Sequence, residues 1–263
     1  MRTPFDAPVS QYMSSPVRSI TADAPLNDAH TVLREHAISS LAVLDESGRM
    51  VGVVSRTDLL RVGRMLETRV CRAPLLALPE GPVRDVMHAS VVRVSPQATV
   101  AAAARTLVAQ KIHRVFVTEG DVLAGVISTT DVLRAIRDSR RSTPISEYMS
   151  APVMTVRASD TLARATDRLV EGALHGVVVV DEEDWPVGLF TQSEALQCRA
   201  LSAALPVDEQ ANPSLLCMDV KTPVHRAAAR AAETRARRVI AVEGRRIWGI
   251  LTGIDFARVA AQG

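Results

Sequence analysis

Apolar and polar positions along the chain follow two rhythms that recur in the same order four times. The first is helical. Val100, Ala103, Ala104, Leu107 and Val108 fall three and four residues apart, one face of a helix, and Leu162, Ala165, Leu169 and Val170 repeat the spacing. The second is strand-like. Fifteen residues after each helix-opening position (Leu26, Val100, Leu162, Val224) a β-prone run begins: LAVL at Leu41, VFVT at Val115, VVVV at Val177, VIAV at Val239. Acidic or Gly-containing turns (DESGR, EGD, EED, EGR) then lead into a second apolar run, which predicts hairpins. A short run ahead of the helix, such as SVVRVS at 90–95, adds a first strand. The unit is therefore β-α-β-β-α, mixed α/β, and about 60 residues long.

Each unit closes on one pattern, called the tail below. It reads GVVSRTD at 52–58, GVISTTD at 125–131, GLFTQSE at 188–194 and GILTGID at 249–255. Gly is followed by two apolar residues, Ser or Thr, two variable residues and an acid. The helix-opening residue lies 25 or 26 positions before each tail Gly. Three units also carry a lead-in: VSQYM at 9–13, VRDVM at 83–87 and ISEYM at 145–149. The fourth lacks the Met motif. Proline-bearing stretches at 67–82 and 205–213 read as connectors, and the polar stretch DSRRSTP at 138–144 as a domain boundary. Units this small bury too little surface to fold alone. They are expected to pair into two modules, 1–140 (copies at about 9–66 and 83–138) and 141–263 (copies at about 145–200 and 213–261).

Four lead-in and tail patterns in this order resemble CBS domains, the family named after cystathionine β-synthase. The resemblance implies two pseudo-two-fold modules with ligand clefts between paired copies. It implies AMP, ADP, ATP or S-adenosylmethionine as ligand, with the tail acid on the ribose and the tail hydroxyls and helix start on phosphate. The candidate residues are then Ser55, Thr57 and Asp58; Ser128, Thr130 and Asp131; Thr191 and Glu194; Thr252 and Asp255. A carboxylate and free N–H groups at a helix start suit ribose hydroxyls and phosphate. The tail Gly is expected to let a ligand approach the backbone. Basic residues ahead of the second strand, His113, Arg114, Arg237 and Arg238, are candidate phosphate contacts. Glu194 is one methylene longer than Asp, and Ile254 replaces the hydroxyl of Thr57, Thr130 and Ser193. The competing reading is structural: Ser/Thr-x-x-Asp/Glu before a helix is also a capping box.

Chemistry of other kinds finds little support. There is no GxGxxG, GxxxxGK[ST] or GxSxG, and the six histidines show no metal-ligand spacing. The expectation is a non-catalytic sensor without a metal or obligatory cofactor, read out by an effector protein or by homodimerisation. The alternative is a ligand-free interaction scaffold. Net charge is +2 and aromatics are 3%, which disfavours nucleic-acid binding, although Arg226, Arg230 and Arg237 form a local basic set. Three distant cysteines argue for a reducing compartment. With no apolar signal segment and no run long enough to span a bilayer, a cytoplasmic protein is expected.

Overall fold

The structure, a computed structural model, describes residues 3–36, 38–62, 64–66, 75–172, 174, 176–198 and 201–263. The predicted unit is present four times. Copy one runs β1 (Ser19–Thr21), α1 (Leu26–Glu35), β2 (Ser40–Leu44), β3 (Met50–Ser55) and α2 (Arg56–Val62). A small hairpin, β4 (Arg64–Leu66) with β5 (Leu75–Ala77), follows, so part of the stretch read as a connector is strand. Copy two is β6 (Arg93–Val94), α3 (Val100–Gln110), β7 (Arg114–Glu119), β8 (Val122–Ser128) and α4 (Thr129–Ser139). Copy three is β9 (Thr155–Arg157), α5 (Leu162–Glu171), β10 (Gly176–Val180), β11 (Pro186–Thr191) and α6 (Gln192–Gln197). Copy four is β12 (Cys217–Asp219), α7 (Val224–Thr234), β13 (Arg238–Glu243), β14 (Arg246–Thr252) and α8 (Gly253–Ala261).

In every copy the first strand pairs parallel to the second, and the second pairs antiparallel to the third. A parallel neighbour needs a crossover, and the first helix of the unit supplies it. Each hairpin has a register shift at the same place: Val43/Leu44, Val117/Thr118, Val179/Val180 and Ala241/Val242. The second strands read as unbroken apolar runs because both of their faces are covered.

The described residues form two compact units, Pro8–Thr99 with Arg114–Ser128, and Met1–Ala7 with Val100–His113 and Thr129–Gly263. In the first, Leu41 and Val43 face Leu26, Ala29 and Leu33 of α1. Ala42 points to the other face, where Met50 and Phe116 join it with Val17, Leu44, Val53, Val91, Leu123 and Val126. That second core is shared by the sheets of copies one and two. In the second unit, Val177, Val179 and Phe190 pack on Leu162, Ala165 and Leu169 of α5. Val178, Val180 and Ile240 make the matching core between the sheets of copies three and four, with Leu189, Val242 and Ile250. Full burial of one such side chain is worth about 1.5–3 kcal/mol.

The second unit also holds a helical layer. Helix α3 packs on α8, and α4 on α7 and α8. The contact is lined with small residues: Ala101, Ala103 and Ala104 of α3, Ala227, Ala228 and Ala231 of α7, and Ala257 and Ala260 of α8, all buried. Alanine lets helix axes approach closely, which explains why α7 carries Ala where α1 and α5 carry Leu. The polar face of α7 is solvated: Arg226 and Arg230 are exposed, and Arg230 pairs with Glu233 at 3.4 Å. Among the described residues no helix is long and apolar enough to cross a membrane.

Candidate functional site

The tails of copies one, three and four build helix caps. Ser55 N and Oγ donate to Asp58 Oδ2 at 2.9 and 2.6 Å. Thr252 N and Oγ1 donate to Asp255 Oδ2, both at 2.7 Å. Thr191 N donates to Glu194 Oε2 at 3.0 Å, joined by Thr191 Oγ1, so the longer Glu still reaches the cap. The capping reading therefore holds for copies one, three and four. Asp58, Asp131 and Asp255 are all buried, at 6%, 6% and 2% exposure, which is unusual for a cap acid on a surface helix. In copy two, Asp131 accepts from Arg134 at 2.8 Å, Thr130 is exposed, and Ser128 ends β8 half-buried. The side chain of Thr57 lies outside the described residues.

The lead-ins are exchanged within pairs of copies, a feature absent from the sequence reading. Each lead-in makes one helical turn, closed by Met13 N to Val9 O, Met87 N to Val83 O and Met149 N to Ile145 O. Val9 N donates to Ala98 O beside the helix of copy two, and Val83 N to Ala24 O beside that of copy one. Ile145 N reaches Thr222 O of copy four. Val207 N reciprocates to Asp160 O of copy three, and Ala211 N closes the turn on Val207 O. VDEQA at 207–211 is therefore the fourth lead-in, with Ala where the others have Met. The stretch read as a connector at 205–213 contains it, and copy four begins earlier than 213.

The exchange also explains the tail glycines. A Cβ on Gly52 would stand 2.6 Å from Met87 Sδ, on Gly125 2.4 Å from Met13 Sδ, and on Gly249 2.4 Å from Met149 Sδ. On Gly188 it would meet the Ala211 Cβ at 2.9 Å. The glycines make room for the neighbouring copy's lead-in, which corrects the expectation that they admit a ligand.

The residue after the lead-in Met then lies beside the neighbouring tail. Backbone pairs Val53–His88 and Ile250–Ser150 are bonded in both directions, at 2.9–3.0 Å. From there His88 Nε2 bonds Asp58 Oδ1 at 2.9 Å, and Ser150 Oγ donates to Asp255 Oδ1 at 3.0 Å. Arg258 adds a second donor to Asp255 Oδ1 at 2.7 Å. Sequence reasoning missed His88 and Ser150. Their signal was a common offset, one past the lead-in Met, visible only once the exchange is known.

Of the basic candidates, two cross to the other copy of their pair. Arg114 of copy two donates to Ser40 Oγ at 2.6 Å and to Ser39 Oγ. Ser40 stands opposite Ser55 in the β2–β3 register, so a guanidinium, three hydroxyls and the Asp58 carboxylate gather at one strand end. Arg238 of copy four lies on Gly176, where a Cβ would be 3.3 Å from its NH2, and Gly176 stands opposite Thr191. Burial pushes the Arg238 guanidinium below its usual range, and the opposing Glu194 carboxylate counters the shift. His113 and Arg237 are exposed. Among the described residues no group of three or more His, Cys, Asp or Glu is gathered as a metal site. What the arrangement offers is recognition: acceptors for hydroxyls and donors for phosphate.

Comparison with known proteins bears on the family and the fold. A family model described as CBS domain matches residues 9–64, 83–138 and 145–200; the fourth copy falls outside its matches. Protein MJ1404 of Methanocaldococcus jannaschii is 23% identical over 282 residues, covering 100% of this chain and 64% of that protein. An uncharacterised 33.4 kDa protein of Thermofilum pendens is 26% identical over 184 residues, covering 65% of this chain and 57% of that protein. The chain thus matches about three-fifths of these relatives' length. The crystal structure of protein MJ1225 from Methanocaldococcus jannaschii superposes with a TM-score of 0.76 at 17% identity, covering 96% of this chain and 99% of that one.

Proposed function

The chain belongs to the CBS domain family, and we propose that it is a non-catalytic regulatory protein that binds an adenine nucleotide or adenosyl ligand between paired copies. One observation carries the reading: Arg114, Ser39, Ser40 and Ser55 collect at the start of α2 beside the buried Asp58. A guanidinium and hydroxyls at a helix start suit phosphate, and a carboxylate suits vicinal ribose hydroxyls. The shared cores of copies one with two and three with four support pairing into two modules, whose bounds the sequence puts at 1–140 and 141–263. In this reading Asp58, Asp131 and Asp255 serve ribose, while Ser128, Thr57 and Thr130 assist at phosphate. AMP, ADP, ATP and S-adenosylmethionine are the candidate ligands. An effector protein or homodimer partner in the cytoplasm reads the resulting change of state.

A second reading, a ligand-free interaction scaffold, is favoured by the donors that already cover Asp58 and Asp255. Calorimetric titration of the full chain with the four candidates separates the two. The expected result is heat with at least one ligand, lost in the double variant Asp58→Ala/Asp131→Ala. Equal heat from wild type and double variant overturns the assigned sites, and no heat with any ligand leaves the scaffold.

A further inference from the structure

Resting on the ligand reading above, we propose that His88 covers one ribose-binding acid, Asp58, and sets its affinity, whereas Ser150 shares the cover of a second, Asp255, with Arg258. The cover over Asp58 is the weaker one, so the cleft of copy one fills first.

The Asp58 side chain is 7% exposed, whereas the His88 side chain bonded to it is 57% exposed. Asp58 Oδ2 is engaged by the Ser55 cap and Oδ1 by His88. With the carboxylate only 7% exposed and the imidazole lying over Oδ1, a ribose hydroxyl competes with the imidazole for that oxygen. The ring is largely exposed, so on leaving it turns to water, and a ligand hydroxyl takes its place on the buried carboxylate oxygen. The backbone of His88 stays in place, bonded to Val53 in both directions and anchored by Met87 over Gly52. The movable part is the side chain alone.

The same register recurs in copy four, which makes the arrangement more than a single chance contact. Ser150 follows Met149, its backbone is paired with Ile250, and its hydroxyl donates to Asp255 Oδ1 at 3.0 Å. Here a second donor, Arg258 at 2.7 Å, holds the same oxygen, and Asp255 is 2% exposed. A ligand displaces one side chain at Asp58 and faces two donors at Asp255. Because each cover belongs to the other copy of the pair, binding in one copy acts directly on its neighbour's lead-in. A competitor for the site lowers apparent affinity by the fraction of time it occupies the acid.

The test is calorimetric titration of the full chain with AMP and with S-adenosylmethionine. His88→Ala is expected to tighten binding by about fivefold, the effect of removing one competing hydrogen bond. His88→Gln, which retains an amide donor, is expected to stay within about twofold of wild type, and Ser150→Ala likewise, because Arg258 remains over Asp255. Tightening only in His88→Ala, including heat that appears only in that variant, supports the cover. Unchanged affinity in His88→Ala overturns it. Weaker binding also overturns it and makes His88 a direct ligand contact. Heat from wild type with any such result preserves the ligand reading, whereas no heat from either protein removes both.

Discussion

Copies one and two pair in the same way as copies three and four, yet the two pairs close differently. In the first pair both tail glycines are covered by a methionine, Met87 over Gly52 and Met13 over Gly125. In the second, Met149 covers Gly249 but only Ala211 stands over Gly188. The crossing arginines differ as well. Arg114 rests on Ser39 and Ser40, whereas Arg238 lies over Gly176 and faces Glu194. These departures in copy three belong together. Loss of a side chain at 176 makes room for the guanidinium, and the longer acid gives it a countercharge while still capping α6. The arginine of the second pair thus lies in the field of a carboxylate, whereas that of the first pair is bonded to neutral hydroxyls. A shared fold sets where the groups stand, and a few side-chain volumes decide whether the place is open.

Removing the arginines is the strongest probe of this contrast. Arg238→Met is expected to cost about 2 kcal/mol in urea denaturation, since it strips Glu194 of its countercharge in a poorly solvated place. Arg114→Met, which loses only bonds to two hydroxyls, is expected to cost about 1 kcal/mol. Equal losses erase the distinction between the pairs.

The glycine covers give a smaller difference. Gly188→Ala places a methyl 2.9 Å from the Ala211 Cβ, an atom fixed to the backbone. The expected cost is about 1–2 kcal/mol. Gly125→Ala meets the flexible end of Met13, and the side chain turns aside for about 0.5–1 kcal/mol. Thermal melts that rank the two variants in the opposite order break the comparison.

The smallest effect lies in the hairpin turn of copy one. Asp45 accepts from the Ser47 hydroxyl, its largest perturbation, and from the Arg49 backbone, which hold its carboxyl at about 2 against an ordinary 3.8. A depressed folded value adds stability above the unfolded pKa that disappears as pH falls through the folded one. NMR titration of the Asp45 carboxyl is therefore expected to give a midpoint near 2, with the turn loosening between about pH 4 and 2. A midpoint near 3.8 shows that the turn bonds do not persist in solution.

Much of the fold was legible because the repeat is periodic. Helical spacing in α3 and α5, β-prone runs at constant offset and four tails announce the β-α-β-β-α unit, and the structure has it four times. The capping box was equally legible, because Ser55–Asp58 and Thr252–Asp255 bond within one turn. The fourth lead-in escaped detection because Ala211 replaces the marker residue, and its identity rests on a turn and a position opposite Leu189. The role of the α7 alanines was not legible locally: they are the small faces that α4 requires.

The amino-acid sequence by itself determined the local elements, the caps and the set of chemically competent residues, since each depends on groups within a few positions of one another. Tertiary structure alone decided which copies exchange lead-ins, what fills the space above each tail glycine, and that His88 and Ser150 cover Asp58 and Asp255. Those contacts join residues 30 and 105 positions apart. No local propensity encodes such a meeting; it follows from burying two sheets against each other.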